Sequence, residues 1–281
     1  MAAPIRVLLQ TTILDTEDDW HIGRFSRLRD RLAAMHNVEV TARNREAPAG
    51  RTDPVLGALD TSGFDEMWLF AVDLGDGLNS EECGAIGRFR KRGSGLMVTR
   101  DHMDLGSSVC TLGGVGDAHY FHSKNPDPDP SRRARDDQDT RDIDWPNYHS
   151  GSNGDFQQVT PVGHRHPVFE GVTRLPAHPH EGAVGAPPKH PSAHVIATGV
   201  SKTTGRPFNI AVAFEPSDEG GPAIAESTFH HFADYNLDPA MGAPSFVGEP
   251  PGDGFRRDPT ALAETHRYFE NMARWLAGRP V

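Results

Sequence analysis

Short apolar runs alternate with amphipathic stretches over the first hundred residues, and this alternation sets the expected architecture. Ile5-Arg6-Val7-Leu8-Leu9 leads into Gln10-Thr11-Thr12 and reads as a buried parallel strand ending in polar groups. Ile22, Phe25, Leu28, Leu32 and Met35 then recur every three or four residues, which predicts a helix with one apolar stripe, capped by Asp15 or Thr16. Val38-Glu39-Val40-Thr41 resumes strand character, and Phe64 to Val72 is the next buried strand. Asn79 with Glu82 three residues later forms a capping-box pattern, opening a helix that carries Cys83, Ile86 and Phe89 and ends near Gly93. Gly95-Leu96-Met97-Val98-Thr99 is a further strand. The order strand, helix, strand, strand, helix, strand predicts an α/β fold: a flavodoxin-like, doubly wound, mostly parallel sheet with helices on both faces.

Beyond Leu105 the periodicity dissolves until about Gln158, and Asn125 to Asp144 is rich in Pro, Asp and Arg with hardly an apolar residue. A stretch of this length is expected to be a lid or disordered, so residues 124–158 read as a long polar insertion within a single domain spanning 1–281. His194 to Val200 and Phe208 to Phe214, separated by a turn at Gly205, predict an antiparallel hairpin. Pro222 to Phe229 is the last candidate strand. A C-terminal helix follows, with Asp258 as N-cap, Pro259 at its first position, and Leu262, Phe269, Met272 and Leu276 on one face.

Composition narrows the function classes. Hydrophobic residues make up 36%, and 29 Gly and 23 Pro imply long ordered loops on a compact scaffold. The balance of 28 Lys and Arg against 39 Asp and Glu gives a net charge of −11, and no basic tract could neutralise a run of phosphates, which argues against nucleic-acid binding. No apolar run approaches the ~20 residues that span a bilayer. Met1-Ala2-Ala3-Pro4 lacks the basic start and cleavage site of a signal peptide, and Cys83 and Cys110 make no metal-type pair, so the expected location is the cytoplasm. The 15 His are the unusual count, because imidazole serves metal ligation, proton transfer and polar binding.

In open α/β sheets ligands bind beyond the carboxyl ends of the strands, and here those ends are polar. Arg100-Asp101-His102 follows the fourth strand. His119 and His122 lie three residues apart, a spacing that stacks both rings on one helical face. In His178-Pro179-His180-Glu181 an extended backbone puts the two imidazoles on one face and Glu181 on the other, so all three do not readily bind one ion. His230 and His231 follow the last strand, with Tyr235 close behind; one ring of the pair points at a site and the other packs away from it. Cys110 sits well past the strand end without flanking elbow glycines and reads as a structural thiol.

The order of these pieces resembles the trehalose-utilisation (ThuA-like) family of the class I glutamine amidotransferase-like superfamily. The segments that carry it are Gly95-Leu96-Met97-Val98-Thr99 with His102, Leu112-Gly113-Gly114 with His119 or His122, His166-Pro167-Val168-Phe169-Glu170-Gly171-Val172 with His180-Glu181, and Gly205-Arg206-Pro207 through Glu226-Ser227-Thr228-Phe229-His230-His231. Amidotransferases carry a Cys at the elbow, where this chain has Arg100-Asp101-His102, so a Cys-His-Glu mechanism is not expected. The resemblance implies a hydrolase-like enzyme acting on a small polar metabolite, a carbohydrate derivative in particular. In that reading His102 or His231 is the general base, Glu181 orients it or activates water, and Asp101 completes the catalytic set. Arg100, His180, His230 and Tyr235 bind substrate. A divalent metal such as Zn, Mn or Fe, held among Asp101, His102, His119, His122 and His180, is compatible with this and not required by it. The rival reading is a non-catalytic binding or assembly module on a scaffold that has lost its nucleophile, and self-association is left open by either.

Overall fold

The computed structural model describes residues 3–137, 140 and 142–281. The central sheet has eight strands: β1 (Ile5–Thr11), β2 (Val38–Arg43), β3 (Glu66–Phe70), β4 (Gly95–Val98), β5 (Thr160–Pro161), β6 (Ala193–Val200), β7 (Pro207–Phe214) and β8 (Ala223–Glu226), in the order β2-β1-β3-β4-β8-β7-β6-β5. The first five in that order run parallel, and β7, β6 and β5 add on antiparallel, with β6 and β7 as the expected hairpin. This is the mostly parallel α/β sheet that the alternation of runs predicts.

Alternate residues along each strand feed two cores. Val7, Leu9, Trp68, Phe70, Met97 and Ile224 face one side, where α1 (Ser26–Ala33) contributes Leu28 and Leu32 and α3 (Pro259–Leu276) contributes Tyr268, Phe269, Met272 and Leu276. Leu8, Met67, Leu69, Leu96, Val98 and Ala225 face the other, against Cys83, Ile86 and Phe89 of α2 (Ser80–Lys91). Both faces of the parallel strands are therefore covered, which is why these strands read as unbroken apolar runs.

The local signals for α2 and α3 hold: Asn79 and Glu82 form a reciprocal capping box, and Asp258 accepts from Thr260 N at 3.0 Å with Pro259 in the first turn. The start of the first helical segment differs from expectation. Residues before Trp20 are irregular, and the segment opens as a 3-10 turn (Ile22–Phe25) capped by His21, whose Nδ1 accepts from Gly23 N, before α1 begins. Asp15 and Thr16 cap nothing there; α1 is instead anchored from a distance by Asp234, which accepts from Ser26 N at 3.0 Å and Arg27 N at 2.8 Å.

The 124–158 insertion is largely built into the fold. Tyr148 exchanges backbone hydrogen bonds with Glu181, both at 2.9 Å, and Phe156–Gln158 pairs antiparallel with Arg174–Pro176. Positions 138, 139 and 141 of the insertion lie outside the described residues.

Asp53 ties the amino-terminal half together. Its buried carboxylate accepts from Arg43 Nη1 and Nη2 at 2.9 Å, from Glu46 N at 2.8 Å, and caps the short helix Pro54–Gly57. Burial pushes its pKa up, but the Arg43 hydrogen bonds and the backbone donors outweigh this and hold it down at about 2 against an ordinary 3.8. A depressed carboxyl stabilises the fold above its unfolded pKa and loses that contribution as pH falls through the folded value. Stability is thus expected to drop between roughly pH 4 and pH 2, and Asp53→Asn should flatten that part of the profile in urea titrations. An identical acid limb in the variant would remove Asp53 from the account.

Candidate functional site

The carboxyl ends of β4 and β8 lie side by side, and the turns after them supply the polar groups. After β4 the chain delivers Arg100, Asp101 and His102; after β8 it delivers Ser227, Thr228, His230 and His231. The third contribution comes from the extended segment at His178 to Glu181, held by Tyr148 on one side and by Ser150, whose N and Oγ both donate to His178 O at 3.1 Å.

Asp101 is the hub of this arrangement. Its Oδ1 accepts from Thr228 Oγ1 at 2.8 Å and lies 3.4 Å from His178 Nε2, while its Oδ2 lies 2.9 Å from His102 Nδ1 and 3.7 Å from His230 Nε2. His178 and His230 stack with centroids 3.6 Å apart and 12° between planes; Phe229 covers His230 on a second contact at 4.3 Å, and Trp20 meets it edge-on. His180 is turned to Asp137, to which its Nε2 donates at 2.6 Å, with Thr140 and Glu249 beside it. Asp101, His178, His180 and His230 are buried, and His102, with a side chain 19% exposed, is the member nearest solvent.

Two asparagines set the ring tautomers. Asn236 Nδ2 donates to Asn153 Oδ1 at 2.8 Å and to Ala177 O at 3.1 Å, so its own oxygen must accept from His230 Nδ1, at 2.7 Å. Asn153 Oδ1 likewise accepts from His178 Nδ1 at 2.9 Å. Both neutral rings then carry the lone pair on Nε2, and His178 Nε2 has no hydrogen-bond partner although it is buried.

Burial dominates the electrostatics. It pushes His178 down to about 4, with the Asp101 charge pulling the other way, and it drives His230 well below its ordinary value together with the neighbouring His178. His180 is lowered by burial and by His102. Burial opposes the Asp101 charge, but His102, His178 and His230 around it hold its carboxyl well below the usual range. Burial keeps His178 and His230 neutral. A buried carboxylate facing neutral rings is a strong attractor for a cation or an acidic proton. One nitrogen each of His102, His178 and His180 lies within 4.8 Å of the others, and so do donor atoms of Asp101, His178 and His230; among the described residues these are the groups able to hold a metal ion.

The remaining expected residues fall elsewhere. Glu181 points away from its neighbouring imidazoles into a second buried network: it accepts from Ser227 Oγ at 2.9 Å and from Gln157 Nε2, and lies 3.5 Å from His231 Nε2. His231, expected as a general base, is fully buried between Glu181 and Glu226, with its Nδ1 2.9 Å from Glu226 Oε2, and Tyr268 also donates to Glu226. Burial opposes a charge on His231, but Glu181 and Glu226 overcome it and raise the imidazole to about 10, which makes it a structural cation. The pair after β8 is thus divided, His230 at the cluster and His231 in the core.

His119 does not reach the cluster, because its two ring nitrogens lie 3.2 Å from Val115 O and Val98 O beneath the sheet end, and burial with the Arg100 charge lowers it to about 3. His122 sits against Trp145, its Nδ1 3.2 Å from Trp145 O. Among the described residues neither contributes to the groups that could bind a metal ion. Arg100 is fully buried over the Phe121 ring and donates to Met103 O at 2.6 Å; burial lowers it to about 9. Tyr235 is buried in the short helix Asp234–Leu237, with burial and the Glu249 charge raising its hydroxyl.

Sequence reasoning passed over Asn153, Asn236 and Asp137, which fix the rings, and did not place His178 among the site residues. The alternation of His178 with His180 was the one available signal; nothing in the sequence marks an asparagine that will meet a ring 25 residues along the chain.

No family model and no curated protein matches the chain. Among solved structures it is similar to the cytoplasmic protein STM1381 of Salmonella typhimurium LT2, at 12% identity over 99% of this chain and 100% of that one, with a TM-score of 0.54. It is also similar to a protein described as ThuA-like from Bacteroides uniformis ATCC 8492, at 12% identity over 98% and 93% with a TM-score of 0.47, and to the glutaminase domain of Trypanosoma brucei CTPS, at 15% identity over 99% and 95% with a TM-score of 0.49. At these identities the likeness is one of fold alone: the chain shares its mostly parallel α/β architecture with the Salmonella protein. Among the described residues no helix is long and apolar enough to cross a membrane.

Proposed function

We propose that this chain is a cytoplasmic hydrolase-type enzyme of a small polar metabolite, with a carbohydrate derivative as the first class to test. Its work is done at the cluster of Asp101, His102, His178, His180 and His230, where water is activated for attack on an acyl or acetal centre. The observation that carries this reading is the convergence of these five side chains, four of them buried, beyond the carboxyl ends of β4 and β8. Burying a carboxylate among imidazoles costs stability, and two buried ring nitrogens of the cluster, His102 Nδ1 and His178 Nε2, are left without a hydrogen-bond partner. Such local expense is the mark of a site kept for chemistry.

The turn after β4 has no cysteine, which favours a second reading, a binding module that retains the scaffold without catalysis. The two separate in one experiment. Wild-type protein and His180→Gln are incubated with a panel of sugar esters, N-acetyl sugars and lactones while product and melting temperature are followed. Turnover by the wild type that His180→Gln loses supports the enzyme. A ligand that raises the melting temperature and is never converted supports the module.

A further inference from the structure

We propose that His102, His178 and His180 together hold one divalent transition-metal ion of the zinc class, through three imidazole nitrogens with a position left for water. The site rests on the reading of this cluster as an active centre only for its purpose; its existence follows from ring geometry.

Two of the three rings, His178 and His180, have their other nitrogen hydrogen-bonded to an oxygen acceptor, and the third lies against a carboxylate. His178 Nδ1 is taken by Asn153 Oδ1 at 2.9 Å, His180 Nε2 by Asp137 Oδ2 at 2.6 Å, and His102 Nδ1 faces Asp101 Oδ2 at 2.9 Å. By elimination the lone-pair nitrogens of His178 and His180 are Nε2 and Nδ1; His102, whose Nδ1 lies beside Asp101 without a hydrogen bond, has Nε2 as the nitrogen turned from that carboxylate. An acceptor on the far nitrogen is the arrangement by which proteins orient metal-binding histidines and strengthen them as ligands.

Ring angles select this trio over Asp101, His178 and His230. The lone pair of an imidazole nitrogen lies in the ring plane. His178 and His180 meet at 89° with centroids 5.3 Å apart, and His102 and His180 at 73° and 5.4 Å, so their planes cross and their lone pairs can converge. His178 and His230 are parallel within 12° at 3.6 Å, and two parallel planes share no point that an ion could occupy at the roughly 2.0–2.1 Å of a zinc–nitrogen bond. His230 therefore serves as a packing partner that fixes the plane of His178, clamped in turn by Phe229. Asp101 lies 2.9 Å from His102 Nδ1 and supplies negative charge close by.

Three neutral nitrogens suit zinc, cobalt, copper or iron, whereas magnesium and calcium demand oxygen. The test uses untagged full-length protein, stripped with a chelator and titrated with zinc by calorimetry, with X-ray absorption on the zinc-loaded wild type. One zinc per chain, three imidazoles around it and no competition from magnesium are expected. Asn153→Ala should weaken zinc by about 10–100-fold, His180→Ala should abolish the tight site, and His230→Phe, which keeps the stack, should retain it. No tight zinc, a carboxylate with two imidazoles in the absorption spectrum, or survival of the site in His180→Ala would each overturn the proposal. Circular dichroism shows whether each variant is folded, and the wild-type spectrum needs no variant. Tight zinc with no turnover on any substrate would overturn the hydrolase reading alone; turnover by protein that binds no zinc would overturn this inference alone.

Discussion

Replacing His231 by alanine is expected to destabilise the protein by about 3–5 kcal/mol, the usual cost of removing one partner from a fully buried charge pair. The imidazole stands between Glu226 and Glu181, all three without solvent exposure, and its positive charge is what allows both glutamates to be buried. Without it Glu226, already raised by burial, faces Glu181 with Tyr268, Gln157 and Ser227 as remaining side-chain donors. The check is urea denaturation followed by tryptophan fluorescence. A clear fall in the midpoint is expected; a folded variant with wild-type stability and no turnover would return His231 to the catalytic set.

Asp101→Asn is expected to do the opposite. Turnover on whatever substrate is found should fall by about 10²–10⁴-fold, the range for a positioned acid–base group, while the melting temperature holds or rises. Asparagine keeps the shape and can still accept from Thr228 Oγ1, but it removes the carboxylate charge buried beside His102, His178 and His230. Near-wild-type turnover would take Asp101 out of the mechanism. The pair of variants separates the two buried polar networks, one built for stability and one kept at its expense.

Much of the scaffold was legible from local pattern. The runs Ile5 to Thr12 and Gly95 to Thr99, the Asn79–Glu82 box and the Asp258–Pro259 start are short-range signals, set by burial periodicity and by side chains that reach backbone groups a few residues away. The first helix went astray because its anchor is not local: Asp234 holds its start from more than two hundred residues downstream, where no capping rule looks. The alternation rule placed His178 and His180 on one face and Glu181 on the other, and it required that His230 and His231 part company.

What the sequence by itself determined is the order of elements, the apolar faces and the enrichment of imidazole at strand ends, since each depends on neighbours within a few residues. Only the tertiary structure decided which imidazoles meet. Whether His230 or His231 turns to the cluster depends on one residue of register, and the rings are fixed by Asn153, Asn236 and Asp137, brought in from distant loops. His119 and His122 had the spacing of ligands, yet backbone carbonyls near the end of β4 and at Trp145 claimed them. Spacing along the chain limits which faces side chains share; convergence on a point in space is set by packing between elements that the chain keeps far apart.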